Sequence, residues 1–390
     1  MGESPKSARL RQLTTLSDDP LAVVRFFTVT VFNNKIYKYA RIFSLVCQLL
    51  LSLVSVYFFV SVSEADFIFT FLATFLSIIA VVIFNCCFLW MEKALNKLDE
   101  EILSKSWTVN GTTRQTGRKI LKECTYATYV VVFNSALGVF AGFVLYPVGI
   151  EQEYHFPIYF FRKCTPDFHY VFEFLYFLTF PVSAYLMCNL VNFVTYYSHH
   201  VVTQIRLGKD TIDTVCSGYE DRDDNELYNS EEYQSTIRER LRFLIIRQSD
   251  FLRFDRLCAD LALKLLPCLS AAIVLSALSY IFFIDADFGY WYYFQNFVWW
   301  LTVTTTGVIL IQCGQYMEDE SGSLMSTLYH IRWLSFSEIN KKTLLVLMSM
   351  SRVPFKLNLT HTLSINYTLG MRIVIYFYCF IAIFPVLNEK

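Results

Sequence analysis

Basic residues are almost missing from every second connection of this chain. Seven apolar runs, at roughly 42–62, 67–91, 125–147, 170–198, 265–284, 293–313 and 363–387, each approach the ~20 residues that a membrane-spanning helix needs. Of 33 Lys and Arg, 29 precede the first run or lie in the second, fourth and sixth gaps. The other side holds Arg162, Lys163 and Lys390, while Arg372 lies within the last run. The positive-inside rule then places the N-terminus in the cytoplasm and, after seven crossings, the C-terminus outside. A G-protein-coupled receptor requires the opposite orientation, so the missing cations argue against that class.

Other shortages narrow the reading further. Charged residues make up 17% of the chain against 55% hydrophobic and 17% aromatic, with a mean hydropathy of +0.40. That is the composition of a polytopic membrane protein. No basic gap carries a recognition motif, which excludes nucleic acid as a partner. Residues 1–20 are polar, so no cleavable signal peptide is expected, and Lys6 occupies the position where N-myristoylation needs Ser or Thr. Of eleven cysteines, Cys47, Cys86, Cys87, Cys188, Cys268, Cys313 and Cys379 fall in the runs. Cys124 borders a run, Cys216 and Cys258 are cytoplasmic, and Cys164 stands without a partner in an outer loop. Reduced thiols are the expected state. The sequons at Asn110, Asn358 and Asn366 lie on the cytoplasmic side or in the last run, where glycosylation does not occur. There is no phosphate-binding loop, nucleophile elbow or zinc pattern, and His199-His200 has no further ligand at metal spacing. An enzyme and a bound cofactor are therefore not expected, and the lack of an internal repeat argues against a transporter.

What is present is unevenly distributed. The outer connections 63–66 and 285–289 are about five residues each, whereas 148–169 carries two prolines and six aromatics and reads as an ordered apolar lid. The cytoplasmic gaps run to roughly 33, 66 and 49 residues. Within them Ile237, Leu241, Leu244, Ile245 and Leu252 recur at helical spacing, as do Leu324, Leu328, Ile331, Leu344, Leu345, Leu347 and Met348, with a turn at 335–340. These stripes predict inner extensions that pack as a bundle below the membrane. The segment 209–232 holds nine Asp or Glu without apolar periodicity. It reads as a solvated flexible loop, since its carboxylates lack the spacing of a calcium loop.

Aromatics crowd the outer halves of the second, third, fourth and sixth runs. Candidate ligand positions there are Phe71, Phe75, Leu137, Phe140, Ala141, Glu173, Phe174, Phe177, Tyr293, Phe297 and Trp300. Glu173, Asn134 and Asn296 are polar groups that have to face inward in such helices. An apolar cavity with a few polar handles is the usual form of a small-molecule site; the bland alternative is a lipid-facing aromatic belt. Burying about 300 Å² of an apolar ligand contributes roughly 7 kcal/mol gross, which association costs reduce to micromolar affinity or weaker. Arg372 either faces a water-filled path or snorkels to the inner surface.

The C-terminal third carries an ordered set of short motifs. Cys313-Gly314-Gln315-Tyr316 is followed by Glu318 to Ser321, Tyr329, Trp333, Lys341-Lys342, Leu344-Leu345, Ser351, Pro354, Lys356-Leu357 and Leu363-Ser364. With Arg247-Gln248, Phe251 to Phe254 and the N-terminal stretch Asp19 to Phe27, this order resembles the insect odorant receptors. The resemblance implies an all-α membrane fold of seven transmembrane helices with a cytoplasmic N-terminus, an extracellular C-terminus and a cytoplasmic helical anchor bundle. It divides the chain into an N-terminal segment with a short membrane-skirting helix (1–41), six spanning helices with the ligand pocket (42–313), anchor helices (314–362) and a pore-lining seventh helix (363–390). It implies an odorant-gated cation channel in the plasma membrane of an olfactory neuron, gated by a small volatile ligand and assembled as a tetramer with the coreceptor Orco. By position the pore constriction falls at Phe377, Ile381 and Pro385, although a proline is unexpected in a hydrophobic gate. The related gustatory receptors, which act as homomers, carry a Thr-Tyr…Gln-Phe pattern that the stretch Thr368 to Phe380 lacks. The 66-residue fourth gap lacks the long insert of the coreceptor itself. Both departures point to an odorant-tuning subunit.

Overall fold

The computed structural model describes residues 19–105, 112–281, 290–360 and 362–388; the side chains of 105, 150, 151, 269, 273, 276–281, 377 and 380–388 fall outside that description. Among the described residues the regular structure is helical, with one isolated bridge pairing Asn358 with Ser364. The helices are α1 (Ala22–Asn33), α2 (Lys35–Val62), α3 (Ala65–Lys105), α4 (Arg114–Val144), α5 (Phe156–Cys164), α6 (His169–Phe177) and α7 (Thr179–Asp213). They continue as α8 (Asp224–Asn229), α9 (Glu231–Ile281), α10 (Tyr290–Tyr329), α11 (Glu338–Met350) and α12 (Tyr367–Asn388). Among the described residues, most of each of the seven apolar runs is helical, the fourth across two consecutive helices. Five spans among the described residues are long and apolar enough to cross a membrane: α2, α3, α4, the joined α6–α7 and α10. The fifth and seventh runs fall on α9 and α12, which include side chains outside the description.

Local chemistry sets the boundaries. Asn34 caps α2 by accepting from the Ile36 amide at 2.8 Å, and Ser63 ends it in the left-handed region at φ 53°. Thr113 caps α4 and is itself fixed by Asp210 of α7, whose carboxylate takes the Thr113 hydroxyl at 2.7 Å. The basic end carries the long connections; the opposite end carries the 145–168 segment.

The main core brings together α1, α3, α4, α7 and α9, with Leu21 just before α1 and Val24 and Phe32 within it almost fully enclosed. Arg25 of α1 reaches Asp99 at 3.1 Å, and Tyr196 donates to the same carboxylate at 3.2 Å, so α1 is pinned from two helices. Helices α4 and α7 approach closely along a seam of small residues. A Cβ at Gly142 would stand 2.5 Å from Pro181 Cα, and one at Gly138 would stand 2.6 Å from Cys188 Sγ.

A second core lies at the basic end, where Tyr233, Ile237, Leu241, Leu244, Leu324, Leu328, Phe336, Leu344 and Leu347 meet Ile212, Val215 and Leu227. The two predicted inner stripes therefore pack on each other, except that Leu252 joins the main core and Leu345 is 67% exposed. The expected turn lies slightly earlier: α10 ends at Tyr329 and α11 already starts at Glu338. The expectation of a solvated flexible loop at 209–232 is corrected. Val215 and Leu227 are 1% exposed, Tyr219 meets the Tyr233 ring at 4.9 Å, and Arg332 pairs with Asp224 at 2.6 Å. Its apolar anchors sit in separate short turns, so they leave no period for a sequence scan to find.

Candidate ligand-binding and gating elements

The opposite end of the bundle is closed by the 145–168 segment, which is ordered as the sequence suggests. Pro157 starts α5 in the first turn, a position that needs no donor N–H, and α5 drives Phe156 and Ile158 to full burial. Phe156 meets Phe71 at 5.7 Å and Phe59 at 6.3 Å; Phe71 also meets Tyr159 at 5.2 Å, and Phe75 meets Phe59 at 5.4 Å. Two predicted ligand positions of α3 thus belong to an aromatic plug shared with α2 and the lid. Thr74 ties the same turn down, donating to the Tyr154 carbonyl at 3.4 Å.

The inward charge has a specific partner. Glu173 is 5% exposed and accepts from Arg162 Nε at 3.1 Å, while Arg162 Nη2 donates to Gln152 Oε1 at 2.6 Å. One ion pair therefore latches the lid helix α5 to α6. Nearby, Phe177 meets Tyr146 at a tilt, with ring centres 4.2 Å apart, and Phe180 edge-on at 5.3 Å. At the start of α5, His155 Nδ1 is buried without a hydrogen-bond partner, and burial holds that imidazole down to about 4.

The remaining candidates separate by exposure. Ala141 is buried in a small cluster with Val144 and Val298, and Leu137 is half-buried. Phe140, Phe174, Tyr293, Phe297 and Trp300 are all 41% exposed or more. The structure does not gather the eleven into one wall, and none of the described cavities is lined by them. The inward amides are found where expected. Asn134 is fully buried, donating to Asn192 Oδ1 at 2.8 Å and accepting from Thr306 at 3.3 Å. Asn296 keeps a buried Oδ1 without a partner, whereas its neighbour Gln295, which the sequence did not single out, donates to the carbonyls of Val144 and Tyr146.

The motif residues of the last third form a joint between α10 and α12. A Cβ at Gly314 would collide with the Ile365 carbonyl oxygen. Gln315 accepts from the Tyr367 amide at 3.2 Å, Glu318 pairs with Lys356 at 3.1 Å and accepts from Asn366 at 3.2 Å, and Ser321 accepts from the Phe355 amide at 2.8 Å. Cys313 Sγ donates to Thr195 at 3.5 Å, and Tyr316 donates to Glu123, which also pairs with Arg206. Helix α12 is thus rooted on α10 by polar contacts, and the order of the motif follows that joint. Sequence reading missed Gln234, whose amide nitrogen donates to Ser335 O and whose oxygen accepts from Ser337 N and Asn340 Nδ2, each at 2.8 Å. A lone Gln in a charged helix gives no signal of such a role.

Beyond its root, the described side chains of α12 are largely exposed. Met371, Ile373, Val374, Ile375, Tyr376 and Tyr378 are each more than half exposed, and Arg372 is exposed with no ion-pair partner among the described residues. The side chains of the expected constriction, Phe377, Ile381 and Pro385, lie outside the described residues.

The fold is shared with a solved insect receptor. The olfactory receptor OR5 of Machilis hrabei matches with a TM-score of 0.60 at 11% identity, over 93% of this chain and 96% of that one. The structure of the same receptor in complex with eugenol matches with a TM-score of 0.61 at 10% identity, over 98% of each chain. No curated protein matches the chain at the sequence level. A family model described as 7tm Odorant receptor matches residues 65–378, and the chain, a multi-pass membrane protein, belongs to that family of odorant receptors.

Proposed function

We propose that this protein is an odorant-tuning subunit of a ligand-gated, non-selective cation channel in the plasma membrane of an olfactory neuron. It works with the coreceptor Orco in a tetramer, its N-terminus cytoplasmic and its C-terminus outside. The charge asymmetry of the connections supports that orientation. Support for a small apolar ligand comes from the aromatic outer halves of the helices and from the solved relative's complex with eugenol.

The observation that carries the mechanism is the continuity of α10. One 40-residue helix bears Tyr293, Phe297 and Trp300 near one end and the Gly314–Ser321 joint to α12 further along. Eighteen residues of helix separate Phe297 from Gln315, about 27 Å of rigid rod. A ligand that wedges against Phe297 tilts α10, and the polar joint passes the tilt to the root of α12. Phe377, Ile381 and Pro385 of neighbouring subunits then separate at the pore. Only a ligand with higher affinity for the open arrangement can drive this.

Recording from cells that express the chain with Orco, against a broad odorant panel, tests the reading. Odour-evoked cation current with both chains, and none from either partner's omission, is the expected result. Current from this chain alone would instead favour a homomeric, gustatory-type channel.

A further inference from the structure

Between α3 and α9, toward the basic end of the bundle, lies an open cleft of about 620 Å³ that shares no residue with the candidate ligand positions or the α10–α12 joint. Helix α9 presents Ser249, Leu252, Arg253, Arg256 and Asp260 to it, positions three and four apart that share one helical face. Helix α3 presents Lys97 and Glu101, again one turn apart, and Met350 closes one side.

The charge in this cleft is unbalanced. Among the described residues Lys97 and Arg256 have no ion-pair partner, and Arg253, 70% exposed, reaches Glu101 only at 3.9 Å. Asp260 is already engaged by Lys264 at 2.7 Å, which brings a fourth cation to the rim. Four cations thus face Glu101 and Asp260, with Asp255 acting on Arg256 as a third carboxylate, and the cations remain in excess. Leu252 and Leu257, both half-buried, give the floor an apolar patch.

Position along the helices identifies the ligand class. Lys97 lies six residues beyond the apolar run of α3 and Arg256 nine residues before that of α9, about 9 and 13 Å along the axis. That is a few ångströms beyond the headgroup layer, which adds about 5–7 Å on each side of a hydrocarbon core about 30 Å thick. A phosphate in the diester plane of an ordinary lipid lies too shallow to meet Arg253 and Arg256. A raised, phosphorylated sugar ring reaches them, and forked guanidinium groups suit its phosphates.

We propose that the cleft binds the phosphorylated inositol headgroup of an anionic inner-leaflet lipid. Arg253 and Arg256 hold its phosphates, Lys97 supplies a point charge, and the leucine floor lies under the ring. The proposal rests on the orientation given under Proposed function for its leaflet, but not for its chemistry. Binding in detergent reports the site whichever way the chain crosses.

The test uses the purified full chain with its coreceptor in neutral detergent. The probes are phosphatidylinositol 4,5-bisphosphate in mixed micelles, phosphatidylcholine in the same micelles, and soluble inositol 1,4,5-trisphosphate. The expected result is saturable binding of the phosphoinositide, weakened about tenfold by Arg253→Gln or Arg256→Gln. Lys119→Gln, an exposed cation on α4, is expected to change it less than about twofold. Glu101→Gln, which removes a competing carboxylate, is expected to tighten binding about twofold, a gain that misfolding cannot mimic. Equal retention of phosphatidylcholine, or indifference to both arginine substitutions, overturns the proposal. Tighter binding of the soluble trisphosphate than of the lipid overturns the lipid as its source. Terminal tags in unpermeabilised cells test the orientation separately.

Discussion

Glu173 shows what a single residue reveals before and after folding. A carboxylate inside an aromatic run has to face inward, and it does; its partner Arg162 comes from the lid eleven residues earlier. Arg162→Ala leaves that carboxylate buried and unpaired, at an expected cost of about 1–3 kcal/mol, so the melting temperature should fall. The double variant Arg162→Ala/Glu173→Gln should recover part of the loss, and an unchanged single variant would show that the latch contributes nothing. His155 sets a pH response of defined sign. Its folded-state value near 4 lies below the ordinary 6.5, so the folded chain holds fewer protons than the unfolded one. Stability is therefore intact above pH 6.5 and falls as pH drops toward 4, by at most about 1.4 kcal/mol per pH unit. Thermal melts of wild type and His155→Phe between pH 4.5 and 7.5 check this, with the dependence flattened in the variant. The burial of Glu173 was legible because charge is rare in its run. The exposure of Phe174 and Phe297 was not, because every neighbour is also apolar and no polar face fixes the helical phase.

At the scale of elements, the joints decide what the helices can do. Gly314 and Gly307 lie on one helix two turns apart, yet one meets the Ile365 carbonyl and the other meets open space. Gly314→Ala should therefore destabilise by about 1–3 kcal/mol or more and sharply reduce assembled channel at the surface. Gly307→Ala should be neutral or stabilising by up to about 1 kcal/mol. Comparable losses from both would remove the joint as an explanation of the motif. The motif itself was readable as an order of residues from Cys313 to Ser364; that it folds back on α10 was not, since a contact between Ser321 and Phe355 leaves no periodic trace. The acidic 209–232 segment went the other way. Its charges suggested solvent, but Val215 and Leu227 fasten it into the second core.

For the whole molecule, α12 is the element whose surroundings one chain does not provide. Most of its described side chains are more than half exposed, and their apolar surface calls for lipid or neighbouring subunits. A cysteine scan across Phe377, Ile381 and Pro385 should find positions modified by a charged thiol reagent faster in the presence of an activating odorant. Rates that do not respond to odorant at any of the three would place the constriction elsewhere.

Much was settled by sequence alone: a helical membrane protein, its seven apolar runs, the segregation of its basic residues into alternate connections, and the motif order of its family. These follow from the price of burying charge and backbone polar groups in hydrocarbon, which acts on length and composition without reference to neighbours. The tertiary structure decided which aromatics close the lid and which stay exposed, where Arg162 finds Glu173, how Gln234 pins the anchor, and that α10 roots α12. In a bilayer the solvent is as apolar as the core, so the alternation that marks an inner face in water disappears. Only packing can assign those faces.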